Sequence, residues 1–86
     1  MDFHDLIRRY FGSDDMAQLH PDAVETGTER VRVDLGLESD PSRRFALWAF
    51  LYMLGDAPDI DVAFKDAADR DAARNFMDLM DRASDD

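Results

Sequence analysis

The chain has 86 residues, no cysteine and a formal net charge of −10, with 20 Asp and Glu against 10 Lys and Arg. This length predicts one domain, residues 1–86, with a core of modest size. The lack of cysteine excludes disulfides, thiol catalysis and zinc–thiolate sites. The strong acidity disfavours direct binding to nucleic acid or to an anionic membrane, so we expect basic protein partners instead.

The sequence shows neither a signal peptide nor a membrane span. Its first residues, MDFHDLIRRY, are acidic where a signal peptide needs a basic and then an apolar run. The longest apolar run, FALWAFLYML, is about half as long as a segment that crosses a bilayer. We therefore expect a cytoplasmic protein.

The first segment is an amphipathic helix. Its apolar residues recur at the spacing of one helical face: Phe3, Leu6, Ile7, Tyr10 and Phe11. Gly12 then supplies a helix stop. A polar connection follows, in which Pro21 is well placed for the first turn of a short helix.

The stretch ERVRVDLGL, residues 29–37, fits two patterns. The period of a half-buried strand is present in Val31, Val33, Leu35 and Leu37. One face of a helix would instead hold Val24, Thr28, Val31 and Leu35. That helix would carry Gly27 in its interior at a cost of roughly 1 kcal/mol. We therefore expect an extended segment that packs on helices without a partner strand.

A second helix is predicted from Pro41 to Leu54. Asp40 is a good N-cap, Pro41 fits the first helical position, and Gly55 ends the helix. Arg43 and Arg44 fall in its first turns, where the helix dipole disfavours cations.

Beyond the arginines this helix is apolar on every side, which describes either a central buried element or one shared with a partner. An 86-residue monomer can hardly bury so many large side chains. We therefore expect part of residues 45–54 to form a partner interface, which could be that of a homodimer. The residues proposed for it are Phe45, Trp48, Leu51 and Tyr52.

The C-terminal third predicts a short element and a long helix. Residues 60–65 alternate as a strand would, although Ile60 and Phe64 also fit a single helical turn. Asp66 is the N-cap of the last helix, and residues 83–86 form a tail that we expect to fray. One face of this helix is predicted to hold Ala72, Ala73, Phe76, Leu79, Met80 and Ala83.

These elements predict an all-α fold: a small helical bundle of three long helices plus a short one. The alternative is an α+β fold, in which residues 29–35 and 60–65 pair as a two-stranded sheet.

The sequence contains no recognisable catalytic or metal site. His4 and His20 lack metal-ligand spacing, and DAPDID lacks the glycine and terminal glutamate of a calcium loop. Nothing marks a pocket that would bring a histidine base to a serine nucleophile. We therefore predict a protein that is not an enzyme and that binds no metal.

The stretch DLGLES resembles the attachment motif of acyl and peptidyl carrier proteins, usually written D-L-G-x-D-S-L. Asp34, Leu35, Gly36 and Ser39 match it, and Glu38 stands in place of the acid before the serine. The likeness extends along the chain. The family's phrase I-T-P-D-A resembles LHPDA at residues 19–23, and a Pro-Asp step lies nineteen residues after Ser39, as it often does in the family. Asp40 stands where the family has an apolar residue.

This resemblance implies an all-helical protein in which Ser39 stands where a loop enters the second of four helices. Its hydroxyl would receive a phosphopantetheine arm that carries an acyl or aminoacyl group as a thioester. Asp34 and Glu38 would flank the attachment site and help bind the transferase, and the partners would include acyl-transferring enzymes.

Two other interpretations stay open. Ser39 precedes the N-cap Asp40, so it could help satisfy the free amides at a helix start. The protein would then be a small acidic interaction module, such as an adaptor, an inhibitor or antitoxin-like protein, or a homodimer that uses residues 45–54.

Overall fold

The fold is built from helices joined by short connections. The structure, a computed structural model, describes residues 3–13 and 15–84, with Met16 and Ser84 described by their backbone alone. The α-helices are α1 (Phe3–Phe11), α2 (Pro21–Leu37), α3 (Pro41–Met53), α4 (Ile60–Ala63) and α5 (Ala67–Ser84). A short 3₁₀ turn, Met16–Gln18, precedes α2. These ranges contain no strand, so the predicted all-helical fold is confirmed and the alternative sheet of residues 29–35 and 60–65 is wrong.

Helix α2 corrects the prediction of an extended segment. Val31 and Leu35 are buried, whereas Val33 is 56% exposed and Leu37 is 79% exposed. Burial therefore follows the helical period and not the alternation of a strand. The bundle consequently has four long helices and not three.

Gly27 permits the close crossing of α1 and α2. A Cβ at this position would lie 2.3 Å from Cε1 of Phe11 and 2.9 Å from the backbone oxygen of Tyr10. The weak helix propensity of glycine, which had argued against a helix here, is offset because only glycine allows the two helices to pack this closely.

Helix α3 is the central element of the fold. It contacts α2 and α5, and the ring of Phe50 lies between 6.0 and 6.4 Å from the rings of Phe3, Tyr10 and Phe11 on α1. The indole Nε1 of Trp48 donates a hydrogen bond to the backbone oxygen of Pro58, 3.0 Å away. The helix is apolar on every side because other helices surround it.

This central position corrects two of the four residues of the predicted partner interface. Trp48 is 1% exposed and Leu51 is fully buried, so neither is available to another molecule. Phe45 and Tyr52 are half-buried and pack against the core. Residues 29–37 belong to helix α2, which packs on α3. The predicted interface is therefore wrong at Trp48 and Leu51, and it stays a prediction at Phe45 and Tyr52.

The last two helices close the bundle. The predicted single turn at residues 60–65 is α4, and Phe64 just after it is buried. Asp66 accepts a hydrogen bond from the amide of Ala68 at the start of α5. The predicted inner face of α5 is wrong at Leu79, which is 63% exposed, and at Ala72 and Ala83, which are also exposed. The helix extends to Ser84, two residues into the segment expected to fray, and Asp85 and Asp86 lie outside the described residues.

Candidate functional site around Ser39

Ser39 lies at the middle of the three-residue connection between α2 and α3, and its side chain is exposed. The free amides around it are satisfied by its neighbours. Asp40 Oδ2 accepts a hydrogen bond from the amide of Arg43, and Glu38 Oε2 accepts from the amides of Ser39 and Asp40. Within residues 3–13 and 15–84, the hydroxyl of Ser39 makes no hydrogen bond. The capping role that the sequence left open for Ser39 is therefore performed by Asp40 and Glu38.

Arg44 fixes this connection to the rest of the fold. Its guanidinium donates hydrogen bonds to the backbone oxygens of Leu35, at 2.7 Å, and of Glu38, at 2.9 Å. A third hydrogen bond reaches the backbone oxygen of Ala63 at the end of α4. One half-buried side chain thus joins the end of α2, the start of α3 and the end of α4. Sequence reasoning missed this role, and the only signal was a cation placed where the dipole of α3 disfavours it.

Asp34, predicted to flank the attachment site, is tied to α1. Its Oδ2 accepts a hydrogen bond from the hydroxyl of Tyr10 at 2.5 Å. Burial, together with the hydrogen bond and the negative charge of Asp34, raises the pKa of Tyr10 to about 12. Asp34 is therefore a link between α1 and α2 one turn before Ser39.

The connection that carries Ser39 lies between two clefts. One, of about 480 Å³, is lined by α1, α2 and α3 and includes Arg9, Asp34 and Arg43. The other, of about 450 Å³, lies on the side of α4 and includes Pro41 and Lys65. Glu38 lines both clefts, so the predicted flanking acid stands at their shared wall.

Each cleft also has an exposed aliphatic side chain at its edge. Leu37, two residues before Ser39, lines the first cleft and is 79% exposed. Val62 of α4 lines the second and is 75% exposed. Each of these side chains would gain free energy if another molecule covered it.

The motif occupies a different setting from the one that the resemblance implied. Asp34, Leu35 and Gly36 lie in the last turns of α2, and the loop before α3 is only three residues long. The helix that follows Ser39 is the third long helix of the chain and not the second. Loading of Ser39 stays a prediction.

The remaining predicted site residues are not brought to Ser39. Phe45, Trp48, Leu51 and Tyr52 belong to the core or pack against it, and none lines the two clefts described above. Among the described residues, no three His, Asp or Glu side chains are grouped so that they could hold a metal ion. No helix in the described ranges combines the length and the apolar character needed to cross a membrane.

Comparison with known proteins adds no relative to this picture. The chain matches no protein-family model, and neither a curated protein nor a solved structure is significantly similar to it.

Proposed function

We propose that the protein is a carrier in which Ser39 is the attachment point of a phosphopantetheine arm. The observation that carries this proposal is the exposed Ser39 hydroxyl, which is left without a structural task because Asp40 and Glu38 satisfy the surrounding amides. The chain has no cysteine, so the arm would supply the thiol on which an acyl or aminoacyl group is held as a thioester. The protein itself would not be an enzyme.

The surroundings of Ser39 leave room for such a group. Its phosphodiester would lie near the start of α3, where the helix dipole favours negative charge, and beside Asp40 and Glu38, whose carboxylates already accept from the nearby amides. The two clefts beside the connection offer space for the arm or its cargo. The hydrogen bonds of Arg44 hold the connection in place, so the attachment point would be a fixed origin from which the arm moves.

The partners of such a carrier would be acyl-transferring enzymes. Leu37 and Val62 are the exposed apolar side chains beside Ser39, and we propose that a partner covers them when it takes hold of the arm. Asp34 and Glu38 would flank that contact. A basic surface on the partner would be attracted by the net charge of −10.

Intact mass after incubation with a broad-specificity phosphopantetheinyl transferase and coenzyme A tests the proposal. In the loading reaction the Ser39 oxygen forms a bond to phosphorus, adenosine 3′,5′-bisphosphate leaves, and the hydroxyl proton passes to a base. We expect a mass increase of one phosphopantetheine in the wild-type protein. Ser39→Ala should abolish it.

Ser42→Ala is the matched control, because Ser42 is an exposed serine in the first turn of α3. This variant should load like the wild type. If folded wild-type protein gains no mass, or if Ser42→Ala abolishes the gain and Ser39→Ala does not, the proposed attachment at Ser39 is wrong.

A further inference from the structure

A second surface with no role in the proposed loading lies at the other end of α3. Two clefts, of about 450 Å³ and 290 Å³, open where α3 ends and the chain turns through residues 54–59 into α4. Both are lined by Tyr52 and Ala57, so they are adjacent, and we treat them together as one surface. We call it the methionine groove. It shares no residue with the two clefts beside Ser39.

The floor of the methionine groove is apolar and adaptable. Three of the five methionines of the chain line it: Met53, Met77 and Met80. Met53 is 51% exposed, so part of its side chain is accessible to a ligand. Unbranched, polarizable methionine side chains can repack around different apolar anchors, and they are common at surfaces that bind amphipathic helices.

The wall of the groove is held firmly by the core. The ring of Tyr52 stacks on Trp48 with the ring centres 5.5 Å apart. It also meets the ring of Phe76 edge-on at 5.8 Å. A rigid aromatic wall beside flexible methionines provides a preformed site, which lowers the entropic cost of binding.

The charged side chains that line the groove are all acidic. Asp59, Asp61 and Asp81 line it, and none of its described lining residues is Lys, Arg or His. Asp59 and Asp61 form no ion pair within residues 3–13 and 15–84. The Tyr52 hydroxyl donates a hydrogen bond to Asp81, 3.3 Å away. A ligand that enters the groove therefore meets an apolar floor and an acidic rim.

We propose that the methionine groove binds a basic amphipathic helical segment of another protein. Apolar side chains of that segment would fill the floor between Tyr52 and the methionines, and its Lys or Arg side chains would pair with Asp59 and Asp61. A second copy of this chain is a poorer occupant, because each copy carries a net charge of −10. This surface would serve an interaction role that does not depend on the loading of Ser39.

The test uses the 86-residue chain and a fluorescent amphipathic peptide of leucine and lysine as the probe. We expect saturable binding by fluorescence anisotropy, and no binding of a peptide with the same pattern that has glutamate in place of lysine. Methyl NMR signals of Met53, Met77 and Met80 should shift on addition of the lysine peptide. Ser39→Ala should bind like the wild type, which separates this proposal from the carrier proposal.

Two variants locate the binding site. Met53→Glu should weaken binding more than about tenfold, because it places a carboxylate on the apolar floor. Its matched control is Val33→Glu on α2, at a side chain that is 56% exposed and lies outside the groove. Asp59→Asn with Asp61→Asn should weaken binding at low salt, whereas Glu25→Gln with Glu29→Gln, which removes the same charge elsewhere, should weaken it less.

Several results would overturn the proposal. One is the absence of binding of the lysine peptide to folded protein, and another is equal binding of the glutamate peptide. Equal losses in Met53→Glu and Val33→Glu would place the contact elsewhere. A concentration-dependent dimer that Met53→Glu dissociates would assign the groove to a second copy of this chain. The aspartate pair is exposed, so its variant keeps the test valid even if Met53→Glu fails to fold.

Discussion

At the scale of single residues, Arg44 shows how a cation is accommodated in the first turns of a helix. The dipole of α3 disfavours its charge, but its guanidinium reaches the C-terminal carbonyls of α2 and α4, where the dipoles favour a cation. The oxygen of Leu35 also accepts a hydrogen bond from the amide of Glu38 at 3.4 Å, so Arg44 adds to the partners that satisfy the last oxygens of α2. The arginine is therefore explained by the two helices that end beside it and not by the one that contains it.

Tyr10 has a raised pKa whose sign can be tested. Burial and the Asp34 carboxylate disfavour the tyrosinate, so the pKa of Tyr10 rises to about 12 from an ordinary value of about 10. In a Tyr52→Phe background, where Tyr10 is the only tyrosine, we expect the tyrosinate absorbance of the folded protein to rise with a midpoint near 12. The urea-unfolded chain should titrate near the ordinary value of about 10.

The same shift predicts how stability depends on pH. A folded-state pKa above the unfolded one means that Tyr10 stabilises the fold fully below about pH 10, and that this contribution is lost as the pH rises through the folded value. Tyr10→Phe should therefore lose less stability than the wild type over this alkaline range in urea unfolding. A midpoint near 10 in the folded Tyr52→Phe protein would contradict the described contact with Asp34.

At the scale of the helices, the sequence predicts where a helix begins and ends better than it predicts whether a segment with an internal glycine is helical. The helix that starts at Pro41 was predicted correctly because its end signals are local. Asp40 is its N-cap, and Gly55, with φ of +82°, follows its last turn. Helix α2 was missed because glycine has a low helix propensity. The reason for Gly27, which is the close packing of Phe11 against it, is visible only in the structure.

The candidate site also combines features that adjacent residues determine with features that depend on distant elements. The exposed position of Ser39 before a helix could be predicted, since it depends on the adjacent Asp40 and Pro41. The clefts beside it could not, because they combine α1, α2 and α4, which are distant in sequence. The methionine groove could not be predicted from the sequence either, because methionines at helical spacing are usually core residues.

Two glycines of α2 offer a matched pair that tests how this helix packs. Gly27→Ala should destabilise the protein by about 1–3 kcal/mol, because the new methyl group overlaps the ring of Phe11. Gly36→Ala meets no atom within 4 Å and should stabilise it by about 0.5–1 kcal/mol through higher helix propensity. Urea unfolding of both variants gives the comparison, and two changes of the same sign would be inconsistent with the described crossing of α1 and α2.

At the scale of the whole molecule, the arginines fall into two groups with different roles. The side chains of Arg44 and Arg70 donate hydrogen bonds to backbone oxygens at or just beyond helix ends. Others form exposed ion pairs, such as Arg74 with Asp71, which contribute little to stability. Many carboxylates therefore remain on a compact surface, with a radius of gyration of 13.1 Å.

This excess of negative charge predicts that salt stabilises the protein. Repulsion among carboxylates is stronger in the compact fold than in the expanded chain, so the net charge of −10 opposes folding. Sodium chloride shortens the screening length from about 30 Å at 0.01 M to about 10 Å at 0.1 M. We expect the Tm measured by circular dichroism to rise with sodium chloride, by about 4–8 °C for each kcal/mol of relieved repulsion.

Near pH 4, where many carboxylates are protonated, the rise should be much smaller. A Tm that falls with salt at neutral pH would mean that the exposed ion pairs outweigh the repulsion, and that the acidic surface does not oppose folding.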